Sequence, residues 1–438
     1  MLGIRMDEGR CVALGTFARR HAHLPGRVAL TRATVRRSWT GAVRTGTVGT
    51  MRALLPLLLA AACTPASDPT RYPPTEEDSD ADGDADEGGE LRGLWVTRWS
   101  FRDAAQVASI MENLDTAGFN AVFFQVRGVH DALYDPALEP WSAVLGGTLG
   151  EDPGWDPLAV AVAEGHARGL QVHAYLNVAP LWSGTAPPPE AEPRHAYLEH
   201  PDWLVADASG IPMALDGSYV YASPGNPAVR SRLAAVAADV AGRYAVDGIH
   251  LDYLRYPGRE YSHDAASEAA YQGSSLSWEA WQRAQVTDAA RGVYTAVDVP
   301  VTAAVWGIWE DAWGWGGVTE GNVDLYQDSR ALLSEGVLDA TIPMIYWPVT
   351  EVPGDRLDFA TLVADHVDHA SGRHVYAGIA ADLGEEAVEA CIRAARVAGA
   401  RGVVLFDWST ASSAGWLPDL ATGVFAEPAR VPALPWRD

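Results

Sequence analysis

The stretch DGIHLDYLRYPG, residues 247–258, sets carboxylates, an imidazole, a guanidinium and two phenols around a short apolar run. In an extended chain successive side chains alternate faces, so Ile249 and Leu251 oppose His250 and Asp252. An ionised carboxylate buried beside an imidazole is costly without partners. A fold therefore either satisfies such a pair fully or uses it for proton chemistry. The structural alternative is that Asp252 caps the loop that follows. The rest of the chain has to decide between the two.

The elements that would position this pair recur along the chain. Apolar runs at 91–97, 121–127, 171–177, 248–253, 300–306, 340–346, 374–380 and 402–408 read as strands. Amphipathic stretches such as 103–117, 157–168, 227–243 and 385–397 lie between them. Asn226 before Pro227 is a helix start, with Asn as cap and Pro at the first helical position. Eight βα units predict an α/β chain folded as a (β/α)8 TIM barrel, with parallel strands and an active site at their C-terminal ends. No Gly-rich phosphate loop follows the first strand, which counts against a doubly wound nucleotide-binding sheet. The loop after strand three, 178–225, is far longer than an ordinary connection, and its aromatic residues and prolines predict an ordered wall.

A barrel gathers the strand ends into one cup. These ends carry Thr97, Arg98 and Trp99; Gln125, Arg127, His130 and Asp131; His173, Tyr175 and Asn177; His250 and Asp252; Trp306 and Trp309; Tyr346 and Trp347; Asp407 and Trp408. Several of the chain's 17 tryptophans fall here, and flat apolar faces beside hydrogen-bonding groups suit a sugar-binding cleft. Arg127, Asp131, His173, Asn177, His250, Trp306, Tyr346, Trp347 and Trp408 are the residues expected to contact substrate. Each has a structural alternative: a rim Trp can be packing, His173 a satisfied core histidine, and Arg127 an ion-pair partner of Asp252 or Asp131. Strand-borne His-x-His is absent after residue 62, no Gly-x-Ser-x-Gly elbow occurs, and no Cys sits where a nucleophile would. The expectation is a site without metal or cofactor.

Residues 51–63, MRALLPLLLAAAC, resemble a bacterial lipoprotein signal: one positive charge, an apolar run too short to span a bilayer, small residues, then Cys63 as the lipidated residue. Thr64 rather than Asp follows it, which by analogy with lipoprotein sorting points to the outer membrane of a two-membrane cell. The expected organisation is an over-extended N-terminus at 1–50, a signal at 51–62, an acidic tether at 63–90, the barrel at 91–425 and a Pro-rich tail at 426–438. The tether's run EEDSDADGDADEGGE has no residue that could build a core, and it lacks the distal Glu of a calcium loop. The net charge of the whole chain is −25, with every basic residue an Arg; removal of residues 1–62 takes away ten Arg and two acids and makes it more negative. Such a surface repels nucleic acid, and contact with a membrane is expected through the lipid anchor alone.

Four segments, FFQVRGVHDALYDPALEPWSA (123–143), HAYLN (173–177), DGIHLDYLRYP (247–257) and PMIYW (343–347), resemble in this order the glycosyl hydrolase-like 10 family, also described as domain of unknown function 187. The resemblance extends over residues 91–408. It implies a TIM barrel and glycoside hydrolysis. It also implies kinship with outer-membrane lipoproteins that act on peptidoglycan glycan strands stripped of peptides, which agrees with the signal ending at Cys63. Two positions depart from the family pattern: Tyr253 stands where a second Asp is usual, and Met344 where Gln is usual. The first removes a paired acid from strand four; the second alters a contact to sugar.

Glycoside hydrolysis uses two carboxyl groups flanking the scissile bond. Asp252 is the expected first carboxylate on a polysaccharide substrate. Asp407, at the end of strand eight, is the preferred partner and Glu310 the next, with Asp311 and Asp328 nearby in sequence. A different class of reading is a glycan-binding surface lipoprotein without catalysis, to which Tyr253 lends weight. A metal-dependent hydrolase would instead lose activity with chelators.

Overall fold

A computed structural model describes residues 89–352 and 354–437, together with the backbone of two short antiparallel strands, Arg5–Asp7 and Arg10–Val12. Cys63, the signal and most of the tether lie outside the described residues.

Eight parallel strands close into a barrel: β1 (Leu91–Val96), β2 (Ala121–Arg127), β3 (Gln171–Asn177), β4 (Gly248–Asp252), β5 (Val301–Trp306), β6 (Ala340–Met344), β7 (His374–Ala380) and β8 (Gly402–Phe406). Each pairs with the next in sequence, and β8 returns to β1. The α/β barrel expected from the pattern of strands and helices is therefore the observed fold. Several strands end one or two residues earlier than the apolar runs do. At β8 the cause is visible: Asp407 leaves the ladder to cap the short helix Trp408–Ala414, accepting from the Thr410 amide at 3.0 Å.

Alternation along the strands sorts their side chains into two layers. Leu94, Val96, Val122, Phe124, Ile249, Leu251 and Val305 face outward and pack with the helices. Leu91, Trp95, Phe123, Tyr175, Ile342, Tyr376 and Val404 fill the barrel. The helices begin where capping side chains predict. α1 (Ala104–Thr116) is capped by Asp103, α2 (Pro157–His166) by Asp156, α3 (Pro227–Arg243) by Asn226 and α4 (Trp278–Ala296) by Ser277. Further along, Asp328 caps α5 (Ser329–Ser334) and Asp358 caps α6 (Phe359–Asp368); α7 (Glu385–Val397) follows Gly384. Each side-chain cap satisfies an amide with no intrahelical partner, worth about 1 kcal/mol.

Residues 178–225 are ordered, as expected. They form a two-stranded antiparallel ribbon, Pro180–Ser183 with Tyr219–Tyr221, over a small apolar cluster that includes Leu181, Trp203 and Val220. At the other end of the barrel the C-terminal tail crosses the N-terminal strand ends. Arg430 accepts from the Glu90 amide, Val431 packs against the barrel interior, and Trp436 and Arg437 reach Asp339, the residue before β6.

Candidate active site

Asp252 is the last residue of β4, on the inner face at the barrel mouth. One carboxylate oxygen accepts from the Tyr175 hydroxyl at 2.8 Å, and the other accepts from the Tyr253 amide at 2.5 Å and lies 3.4 Å from the Arg255 guanidinium. The side chain keeps 11% of its surface open. Tyr253 has φ 52°, a left-handed conformation that costs about 1–3 kcal/mol for a non-glycine residue. That sharp turn folds the Tyr253 amide back onto the carboxylate and returns Arg255 to it. The Arg255 guanidinium covers the Tyr253 ring at 4.3 Å and faces Trp306 at 5.7 Å. Burial pushes the Tyr175 phenol well above its ordinary pKa and the charge of Asp252 adds to the rise, so Tyr175 is a neutral hydrogen-bond donor.

Asp407 sits just past β8, which stands opposite β4 in the ring. One oxygen caps the following helix; the other is buried without a hydrogen-bond partner. Burial raises the Asp407 pKa above the ordinary carboxyl value, the Thr410 hydrogen bonds oppose the rise, and nearby Asp382 adds to it. Glu310 accepts from the Asn322 amide group at 2.6 Å, and the Asn322 carbonyl accepts in turn from Arg283 of α4 at 3.4 Å. This network ties Glu310 to the turn Gly321–Asp324 and does not join it to Asp252. Asp311 accepts from the amides of Trp315 and Gly316, and Asp328 caps α5 while accepting from the Trp309 indole at 3.0 Å.

The residues expected to contact sugar divide. His250 is buried with both ring nitrogens engaged: the Trp95 indole donates to Nε2 at 3.0 Å, which puts the proton on Nδ1, where it is donated to the Thr302 hydroxyl at 2.9 Å. Burial holds its pKa well below the ordinary value, so the ring is neutral and is a strut across the barrel. His173 lies deeper, stacked on Phe123 at 4.9 Å, its pKa pushed down by burial to about 4. A Cβ on Gly248 would come within 2.3 Å of its Nδ1, so glycine there makes room for the ring. His173 is a core histidine met at Nε2 by the Gln171 side chain at 3.1 Å, with its Nδ1 buried without a partner.

Arg127 pairs with neither Asp252 nor Asp131. Its guanidinium meets Glu139 through two bonds, at 2.8 and 2.7 Å, and donates to the Asn177 and Val178 carbonyls. Asn177 is buried, its side-chain oxygen without a partner. Asp131 accepts from the Ser142 hydroxyl at 2.5 Å and the Val129 amide at 2.8 Å, which fastens the loop after β2. Trp347 and Trp408 pack against the layer between strands and helices. Trp306 and Tyr346 remain at the mouth, Tyr346 stacked on Phe406 at 5.6 Å and Trp306 donating to the Thr319 carbonyl at 2.7 Å.

Other groups around Asp252 carried a fainter signal in the sequence. Tyr175 shares a strand face with His173, and Arg255 lies three residues beyond Asp252. Tyr219 and Tyr221 come from the long loop after β3, where only an ordered wall was foreseeable; both rings meet Tyr253, Tyr219 at 5.5 Å. Among the described residues no cluster of three or more His, Cys, Asp or Glu side chains is placed to hold a metal ion.

Comparison with known proteins bears on this arrangement. The model of the family described as Glycosyl hydrolase-like 10 matches residues 90–390. The chain belongs to the glycosyl hydrolase-like 10 family. It is similar to Glycosyl hydrolase DigH of Escherichia coli (strain K12), 30% identical over 332 residues that cover 66% of this chain and 73% of the relative. Glycosyl hydrolase YngK of Bacillus subtilis (strain 168) is 26% identical over 392 residues, covering 80% and 74%. Among solved structures, alpha-L-fucosidase isoenzyme 2 from Paenibacillus thiaminolyticus superposes with a TM-score of 0.51 at 15% identity. That match covers 77% of this chain and about half, 49%, of the fucosidase. The catalytic domain of a beta-amylase from Paenibacillus polymyxa gives 0.50 at 12% identity, covering 74% and 93%. At such identities the likeness shows the barrel fold alone. The family match spans Asp252 and ends within α7, so Asp407 is a candidate on geometry only.

Proposed function

We propose that the protein hydrolyses O-glycosidic bonds of a polysaccharide with Asp252 and Asp407 as its carboxyl pair. The observation that carries the reading is a difference in environment. Asp252 is paired with Arg255 and hydrogen-bonded by Tyr175 and Tyr253, whereas Asp407 is buried with an unpartnered oxygen on the opposite strand. One carboxyl held toward its acid form by burial, opposite a second that is paired with an arginine, suits acid and base roles. In this reading Asp407 donates a proton to the leaving oxygen, and Asp252 attacks the sugar carbon or takes a proton from water. Trp306 and Tyr346 supply stacking faces beside them. No metal or cofactor enters the mechanism.

Peptidoglycan strands stripped of peptides are the substrate we put forward, on the strength of family membership and the signal ending at Cys63. The protein would then be lipidated at Cys63 and held at the outer membrane. The full chain incubated with peptide-free strands should release small saccharides detectable by mass spectrometry, with or without a chelator. Intact strands after incubation would overturn the proposal, and loss of products with chelator would point to metal chemistry instead. Tyr253, in the place of a family Asp, favours a second reading, a non-catalytic glycan-binding lipoprotein; strand binding without fragments is its signature.

A further inference from the structure

Aromatic rings and two arginines alternate along an arc at the mouth. Trp99, just past β1, is 36% exposed and lies 4.8 Å from the Arg98 guanidinium, which donates to the Tyr219 hydroxyl at 3.1 Å. Tyr219 meets Tyr253, Arg255 covers Tyr253, and Arg255 faces Trp306. The arc thus runs from the end of β1 to the end of β5, its opposite number in the ring, and passes Asp252 on the way.

Beyond Trp306 the loop after β5 carries Trp313 and Trp315, stacked at 4.6 Å with 19° between their planes, packed on one side against the layer between strands and helices and partly exposed on the other. Its backbone is held from both sides. Asp311 accepts from the amides of Trp315 and Gly316, and Arg356 donates to the carbonyls of the same two residues at 2.7 Å each. Adjacent large apolar faces left partly in water are one feature of a binding surface. Indole faces stack on the C–H faces of pyranose rings, and phenols and guanidinium groups suit sugar hydroxyls.

We infer that Trp99 and the Trp313–Trp315 pair are outlying sugar-stacking platforms at the two ends of one track, so that the site takes an extended polysaccharide strand across the mouth and cuts within it. The cutting rests on the proposed hydrolase reading; the track stands on the arc itself. The test uses the full chain with Trp99→Ala and Trp313→Ala, Trp99→Phe as a conservative variant, and Val397→Ser as a control on the outer surface of α7, where the side chain is 90% exposed. Activity is measured on long peptide-free peptidoglycan strands and on a tetrasaccharide of the same polymer, and binding by retardation in native gels containing soluble strands.

Each Trp→Ala change should raise KM for long strands about tenfold, with a much smaller change on the tetrasaccharide, and should weaken gel retardation. Trp99→Phe should recover most of the loss and Val397→Ser should behave as the parent. Equal losses on both substrates, or no loss on long strands, would overturn the track. If the parent cuts neither substrate the hydrolase reading falls, and retardation decides alone: weakening in Trp99→Ala supports the track and unchanged retardation overturns it.

Discussion

At the floor of the barrel Asp339 is surrounded by Arg373, Arg437, Tyr294 and Trp436; at the mouth Asp252 is surrounded by Arg255, Tyr175, Tyr253 and Trp306. The residue types are nearly the same, but the arrangements are not. Asp339 is fully buried, and both oxygens are saturated. One accepts from the Trp436 indole at 2.7 Å, the Tyr294 hydroxyl at 3.2 Å and both arginines; the other accepts from the Val301 amide at 2.7 Å and Arg437 at 2.8 Å. Asp252 has two hydrogen bonds, one longer ionic contact and an open edge. Completeness of satisfaction, rather than residue type, separates the carboxylate that holds the floor together from the one left open at the mouth.

Asp407→Asn should lower kcat/KM on peptide-free strands by about 10²–10⁴-fold, the usual contribution of a general acid. Because the Asp407 pKa is raised, the acid is lost as pH rises through it, so the parent should show an alkaline limb in kcat/KM that this variant lacks. A retained limb would assign the proton donor elsewhere. Asp339→Ala should do the reverse. Two arginines lose their carboxylate, stability falls by about 3 kcal/mol, and turnover well below the melting temperature is unchanged. Loss of turnover at unchanged stability would erase the distinction between the two ends. Truncation before Leu434 removes Trp436 and Arg437 but leaves Arg373 in place, and should lower stability by a smaller amount, about 2 kcal/mol in urea titrations.

The smallest effect concerns pH. Burial depresses His173 and His366 to about 4 and holds His130 and His250 below the ordinary histidine value. Depressed folded-state values mean that this stability is fully present above about pH 6.5 and is lost as the pH falls from there toward 4, when the unfolded chain takes up protons that the fold refuses. His195, likewise lowered by burial, acts in the same sense, and Asp407, with its raised value, in the opposite one. Urea midpoints should therefore decline on acidification across that window; a flat profile would mean these rings are not held neutral.

Much of this was legible from residues alone. Strand alternation placed Asp252 and His250 on the inner face, and Asn226-Pro227 marked the start of α3. Depth was not legible. The inner face of a barrel strand includes both its packed interior and its mouth, and a period of two does not say which layer His173 or His250 occupies. Nor does it give the direction of a chain leaving a strand, so the contact of Trp347 and Trp408 with the layer between strands and helices was not foreseeable. The partner of Arg127 is Glu139, in an irregular loop with no periodicity to reveal it. The Pro-rich tail has the composition of a loose end, yet the charge of Asp339 fastens it across the floor.

The role of Asp252 is decided by measuring Asp252→Asn and the parent side by side for turnover of peptide-free glycan strands and for thermal midpoint. Asp252→Asn should keep an intact fold with turnover lowered about 10³-fold or more. Undiminished hydrolysis by the variant would contradict that role.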